Sequence, residues 1–265
     1  VAQALELGLV NPATMIDTKG PLTWGRFRIR DFHDYGPELS VADVIVKSSN
    51  IGTARLAIDI GADRQRGFLK SLGFLAPVPI ELVEAPTGRP LLPKRWSEIS
   101  TLTISYGHGL SASPLHLATA YATLANGGVR VTPTLLKRED PVTGPRVISG
   151  RTAGQAMMML RQVVTQGTAS FGDIRGYAVG GKTGTADKPK ATGGYHDDRV
   201  IATFASVFPA HDPAYVLVVT LDEPVETSGT EPRRTAGWTA VPVAAEIIRR
   251  VAPLLGLRPT VEPGT

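Results

Sequence analysis

Gly176-Tyr177-Ala178-Val179-Gly180-Gly181-Lys182-Thr183-Gly184-Thr185 is the stretch on which the fold turns. Its first eight residues match G-x-x-x-x-G-K-[ST], the loop that cradles phosphates, letter for letter. That loop requires a buried strand before it and a helix after it, so that backbone N–H groups at a helix N-terminus face the anion. Upstream stands Ala169-Ser170-Phe171-Gly172-Asp173, which does not read as a strand. Downstream, Pro189, Gly193 and Gly194 follow soon after Gly184, where a helix cannot propagate. No nucleotide partner is expected. As an extended strand, the same residues alternate, with Lys182 and Gly184 on one face and Thr183 and Thr185 on the other. On an edge strand lining a cleft, Gly184 would let a substrate backbone approach. The ammonium, the hydroxyls and the free N–H groups would then hold an extended peptide and its carboxylate. These residues alone also leave open a surface strand with a stray lysine.

The rest of the chain sets the frame. A length of 265 residues fits one large domain or two lobes. A hydrophobic share of 42% and a charged share of 20% support a real core and exclude disorder, collagen and coiled coil. The net charge of +4 is small and its basic residues are scattered, so no nucleic acid is expected. With no cysteine there is no disulfide, thiolate nucleophile or Cys-bound metal, which suits an oxidising compartment. The longest apolar runs, around Val200–Phe208 and Tyr215–Leu221, are strand-length. Val1–Leu9 reads as the interior of an amphipathic helix without a start signal, which points to a piece of a longer protein. The histidines lack zinc-site spacing and read as solvated turn residues. His108 stands apart because it lies in the Gly-rich Tyr106–Gly109 stretch, and it is a candidate cleft contact.

Helical periodicity and caps predict helices over Val1–Leu9, from Ser40 to about Lys47, over Ile51–Ile60, from Asp63 to Leu72, and from Ser113-Pro114 to Leu124. Residues Pro77–Pro93 read as loop. Ser149 opens a further helix whose Met157, Met158, Leu160 and Val163 read as core packing. Then the texture changes. Tyr177–Ala186, Val200–Phe208 and Tyr215–Leu221 read as three antiparallel strands, broken by Asp187–Asp198 and by His211-Asp212-Pro213. Thr239–Leu255 closes the chain as an amphipathic helix. Helices first, then a sheet with a covering helix, is an α+β arrangement. About 1–168 would form a mainly helical lobe, and about 169–265 the strands and last helix.

Ser48-Ser49-Asn50 falls at the junction of two predicted helices, where Ser and Asn are ordinary punctuation. It gains meaning from company. A Ser-x-Asn and, 182 − 50 = 132 residues later, a Lys-Thr-Gly-Thr are the second and third signatures of the penicillin-interacting serine acyltransferases. Longer strings join them: Lys47-Ser48-Ser49-Asn50-Ile51-Gly52, Ser105-Tyr106-Gly107-His108-Gly109-Leu110, Tyr121-Ala122-Thr123-Leu124-Ala125-Asn126-Gly127-Gly128, and Leu221-Asp222-Glu223-Pro224. Over essentially its whole length the chain resembles the transpeptidase domain of a class B penicillin-binding protein, most like the division-type D,D-transpeptidase.

The resemblance implies the penicillin-binding/serine β-lactamase-like fold, an antiparallel sheet with helices on both sides plus a helical lobe. It implies a Ser-x-x-Lys nucleophile motif at the start of a buried helix. No Ser here has Lys three residues on, so that motif and the first strands are expected upstream of Val1. The chain alone is expected to be inactive and unable to bind penicillin covalently. Ser48 would relay a proton to the leaving group, and Asn50 would hold the substrate's acyl part and help position the catalytic Lys. Lys182 would supply positive potential and support Ser48. Thr183 and Thr185 would bind the terminal carboxylate of D-Ala-D-Ala or a β-lactam, beside Gly184, with the Thr185 N–H as an oxyanion donor. No metal or cofactor is implied. Expected partners are peptidoglycan stem peptides, β-lactams in the complete domain, and division-complex membrane proteins. The expected location is a periplasmic domain of a protein anchored in the inner membrane. Two rivals follow: a β-lactamase, and a non-catalytic sensor or division scaffold on the same fold.

Overall fold

Four serines each set a helix start. Ser40, Ser49, Ser97 and Ser113 each hold extended backbone just ahead of a helix, and each side-chain oxygen accepts the N–H three residues on. At Ser113 the cap is reciprocal, because the His116 ring takes the Ser113 N–H. The computed structural model describes residues 1–139 and 143–260. It divides into two compact units, Val1–Met159 and Leu160–Thr265. None of its helices, among the described residues, is long and apolar enough to cross a membrane.

The first unit begins with α1 (Ala2–Glu6). β1 (Met15–Asp17) pairs antiparallel with β4 (Glu38–Ser40), and between them β2 (Leu22–Trp24) and β3 (Phe27–Ile29) form a hairpin. Then come α2 (Val41–Val46), α3 (Asn50–Ile60), α4 (Ala62–Ser71), α5 (Glu98–Ser105) and α6 (Pro114–Ala125). The pair β5 (Val129–Val131) and β6 (Thr143–Arg146) follows. α7 (Gly150–Gln166) starts in this unit and ends in the second. α3 is the hub of the first unit. Leu56 and Ile60 pack with Ala4, Leu5, Val41 and Met159, while Ile51 and Ala54 pack with Leu22, Ile29 and Leu102. Burying a side chain such as Leu56 stabilises the fold by about 1.5–3 kcal/mol. Gly52 lets α2 come close: a Cβ there would stand 2.5 Å from Val44 Cγ2.

In the second unit β7 (Gly180–Pro189), β8 (Tyr195–Phe208) and β9 (Tyr215–Asp222) form an antiparallel sheet in the order β7-β8-β9. Lys182 stands opposite Ala205 and Gly184 opposite Thr203. α8 (Ala240–Leu254) packs on β8 and β9 and buries Ala244, Ala245 and Ile248. The fold is α+β, as the pattern of elements predicts.

Several boundaries differ from the sequence reading, each for a physical reason. Asp187–Asp198 does not break the strands: β7 runs to Pro189 and β8 starts at Tyr195, around a turn in which Gly193 and Gly194 take left-handed backbone. β9 ends opposite Ile201, so among the described residues the outer part of this ribbon pairs with no third strand, and it carries no apolar alternation to read. β7 begins at Gly180 rather than Tyr177, because Gly176, with φ of 89°, turns the chain and Tyr177 bridges back to Ile174. The sequence reading places no helix over α5. Its Ser, Thr and Ile residues are weak helix formers, and the Ser97 cap and burial of Leu102 override them. α1 stops at Glu6, short of Leu9. Met157, Leu160 and Val163 of α7 are buried as expected, but Met158 is 49% exposed and Met159 is buried in its stead.

Candidate functional site

Ser48-Ser49-Asn50 forms the bend between α2 and α3. The bend is sharp because Ser48 adopts φ of 61°, a left-handed conformation that L-residues avoid at about 1–2 kcal/mol. Such conformations persist where the surroundings over-determine them, and they cluster at working sites. Here the surroundings are explicit. The Ser49 hydroxyl accepts the Gly52 N–H at 2.9 Å and donates to Asp31 Oδ2 at 2.7 Å. Asp31 Oδ1 accepts the Ile51 N–H at 3.0 Å, and Asn50 Nδ2 donates to the Arg30 carbonyl at 3.0 Å. Ser49 is buried and fully occupied as a cap, while Ser48 and Asn50 are half-buried. Ser49 thus holds the bend, and the half-buried Ser48 and Asn50 flank it.

Lys182-Thr183-Gly184-Thr185 lies inside β7, the edge strand of its sheet, and not at a helix N-terminus. This geometry disposes of the phosphate-loop reading of the same letters. The Thr183 hydroxyl lies 2.6 Å from that of Thr168, and the Thr185 hydroxyl accepts the Ala236 N–H at 3.0 Å. Lys182 Nζ donates to the Thr183 carbonyl at 3.1 Å and lies 3.5 Å from the Thr183 hydroxyl. Burial lowers the Lys182 ammonium to about 8, because desolvation penalises the charged form. It therefore keeps its charge at neutral pH and loses it in mild alkali. At Gly184 a Cβ would meet nothing nearer than the Thr203 carbonyl at 4.0 Å, so the space in front of the strand is clear there. The edge thus joins one cation, two hydroxyls and an unobstructed backbone, a combination suited to a peptide carboxylate.

His108 is exposed in the loop after α5, between Gly107 and Gly109, and its N–H returns to the Thr103 carbonyl at 3.0 Å. Two other histidines correct the expectation of solvated turns. His116 is buried at 3%, with Nδ1 at 2.7 Å from Ser113 Oγ and Nε2 at 2.8 Å from the Ala76 carbonyl, and it holds the start of α6. His196 lies within β8. Asp31, Thr168 and Ala236 went unseen in the sequence. Each acts on a group at least 15 residues away, and no local spacing announces such a contact.

Comparison with known proteins completes the picture. Residues 1–249 match the family model for the penicillin binding protein transpeptidase domain. The chain is 35% identical over 269 residues to the probable peptidoglycan D,D-transpeptidase FtsI of Caulobacter vibrioides, covering 97% of this chain and 45% of that one. It is also 35% identical to the penicillin-binding protein PbpB of Mycolicibacterium smegmatis, covering 93% of this chain and 40% of that one. It therefore spans less than half the length of these relatives. Among solved structures, the transpeptidase domain of penicillin-binding protein 3 from Burkholderia pseudomallei superposes with a TM-score of 0.88 at 34% identity, covering 98% of this chain and 78% of that one. The ampicillin complex of penicillin-binding protein 3 from Mycobacterium tuberculosis superposes at 0.87 with 28% identity, covering all of this chain and 62% of that one. The expected fold and family are borne out on both counts: the chain belongs to the penicillin-binding protein transpeptidase domain family.

Proposed function

We propose that the protein carrying this domain is a peptidoglycan D,D-transpeptidase that cross-links stem peptides through a serine acyl-enzyme in septal wall synthesis. The observation that carries the reading is the Lys-Thr-Gly-Thr strand on a sheet edge, within a chain matched to the family over residues 1–249. A stem peptide ends in a D-Ala carboxylate, and the Lys182 ammonium with the Thr183 and Thr185 hydroxyls are donors of the right charge for it. The same donors suit the carboxylate of a penicillin, and relatives have been solved with ampicillin and aztreonam.

Bond by bond, a serine oxygen attacks the penultimate D-Ala carbonyl, and the oxyanion is held in part by the Thr185 N–H. The C–N bond breaks, and the departing D-Ala amine takes a proton through Ser48. Asn50 holds the acyl part, Gly184 leaves room for the peptide backbone, and His108 borders the substrate. An amine of a neighbouring stem peptide then attacks the ester and frees the serine. None of these 265 residues forms Ser-x-x-Lys, so the nucleophile and its base come from outside them. The domain works on the periplasmic side of an inner-membrane anchor, alongside membrane proteins of the division complex.

The test is covalent labelling of the whole protein with a fluorescent penicillin, in competition with a stem peptide ending in D-Ala-D-Ala. A label that survives denaturation, forms more slowly when the peptide is present, and is lost in Ser48→Ala and Lys182→Ala supports the assignment. Steady turnover of penicillin would make the protein a β-lactamase. No label at all would leave a non-catalytic sensor or division scaffold.

A further inference from the structure

The hydroxyls of β7 can recognise an anion only if their protons point at it, and the structure shows what lies behind each one. A threonine hydroxyl has one proton to give and two lone pairs to receive with. Behind Thr185 stands the Ala236 backbone N–H, 3.0 Å away, which can only donate. The Thr185 proton is therefore left for another acceptor. Behind Thr183 stands the Thr168 hydroxyl at 2.6 Å, which can either donate or accept. If Thr168 accepted, the Thr183 proton would point away from any ligand and two lone pairs would face the carboxylate.

We infer that Thr168 is a positioning residue that donates its hydroxyl proton to Thr183 and so leaves the Thr183 proton for the substrate's carboxylate; this rests on the functional reading above. Two observations favour this direction. Thr168 Oγ1 has no other hydrogen-bond partner among the described residues, so accepting would leave its own proton unpaired in the protein. The Lys182 ammonium, 3.5 Å from Thr183 Oγ1, adds a second donor to the same oxygen. The Thr168 turn is also held still. The Gly167 and Ala169 N–H groups both return to the Val163 carbonyl at 3.1 Å, and Ala169 is wholly buried. A Cβ on Gly237 would stand 2.6 Å from the Thr168 carbonyl. The short turn before α8 thus braces Thr168 through Gly237 and feeds Thr185 through Ala236. In this arrangement both hydroxyls receive from behind and give in front.

The experiment compares Thr168→Val, which keeps the shape and removes the donor, with Thr168→Ser, which keeps the donor. The whole protein is acylated by benzylpenicillin and, separately, by its neutral methyl ester. Thr168→Val is expected to slow acylation by the free acid about tenfold, as losing one useful hydrogen bond would. The ester rate should stay within about twofold, and Thr168→Ser should restore the acid rate, since no carboxylate is read in the ester and serine keeps the proton. In a Thr183→Val background the Thr168→Val change should add nothing, because the pair acts as one unit. Equal slowing of acid and ester, or a full cost retained without the Thr183 hydroxyl, would overturn the inference alone. Failure of benzylpenicillin to acylate the unchanged protein would overturn the functional reading, and this inference with it. Should Thr168→Val not fold, Thr168→Ala read in the same two ratios decides the matter.

Discussion

Gly181→Ala and Gly184→Ala place the same methyl group three residues apart on one strand, and they should act in opposite ways. At Gly181 the new Cβ would stand 2.6 Å from the Ala205 carbonyl and 2.7 Å from two ring carbons of Phe204. Neither neighbour can yield easily: the carbonyl is strand backbone, and Phe204 is wholly buried. Overpacking of this kind costs about 1–3 kcal/mol. For a chain of this size that lowers Tm by about 2–12 °C. At Gly184 the nearest atom is 4.0 Å away and the backbone is not left-handed, so alanine fits without strain. Its effect on stability is neutral or favourable, by about 0.4–1 kcal/mol, through the unfolded chain. The cost falls on function. On the proposed reading the methyl occupies the side of β7 that the peptide backbone approaches, and loss of one or two ligand hydrogen bonds should slow acylation at least about tenfold. Thermal unfolding followed by circular dichroism, beside rates of fluorescent-penicillin labelling of the whole protein, reads both effects. A Gly184→Ala protein that acylates at the unchanged rate would refute the placement of the ligand along β7. A Gly181→Ala protein that melts normally would refute the packing behind it.

Three further perturbations address the remaining parts of the site. Ser48→Gly relieves the left-handed strain and should raise stability to urea by roughly 1 kcal/mol while abolishing the proton relay; Ser48→Ala should lose the same activity with no gain in stability. Asp31→Ala leaves the buried Ser49 hydroxyl and Ile51 N–H without their acceptor and should cost about 1–3 kcal/mol in chemical denaturation, with Asp31→Asn milder, and equal stability for all three proteins would exclude the brace. Acylation should fall as pH rises through about 8, where Lys182 loses its proton, and Lys182→Arg should hold its own rate to higher pH. The linkage runs the other way for stability. The folded value lies below the ordinary 10.5, so the unfolded chain binds more protons between about 8 and 10.5, and this group's contribution to stability rises with pH across that window. A flat acylation profile to pH 9 would contradict the role given to Lys182.

What the sequence made legible was local. Ser40 and Ser113 cap helices because a side-chain oxygen and an N–H three residues on meet within one turn, and such spacings can be read by eye. The alternation of Lys182, Thr183, Gly184 and Thr185 was equally readable once the helix was excluded. What stayed hidden depends on partners far along the chain. Thr168 meets Thr183 across 15 residues, Asp31 meets Ser49 across 18, and Ala236 meets Thr185 across 51. α5 was hidden for the opposite reason: its local propensity is poor, and its helix exists because Leu102 has a core to enter.

The glycines of the lookalike motif show why one string of letters can serve two unrelated purposes. In a phosphate loop, glycines free the backbone so that successive N–H groups converge on an anion. Here Gly180 and Gly181 are needed for close approach from behind. A Cβ on Gly180 would lie 3.3 Å from the Arg161 backbone nitrogen in α7, and one on Gly181 would enter the Phe204 ring. Arg161 ties the same place, donating to the Val179 carbonyl at 3.0 Å and pairing with Asp173 at 3.0 Å. Of the four glycines from Gly176 to Gly184, only Gly184, which lies past the phosphate pattern, has open space before it. Gly181, which the pattern requires, and Gly180, at one of its unrestricted positions, press the strand onto its supports, and Gly184, beyond the pattern, leaves the edge clear. On the proposed reading, recognition of an anion falls to a lysine and two hydroxyls on one strand, with donors placed behind the hydroxyls, and not to a nest of backbone amides.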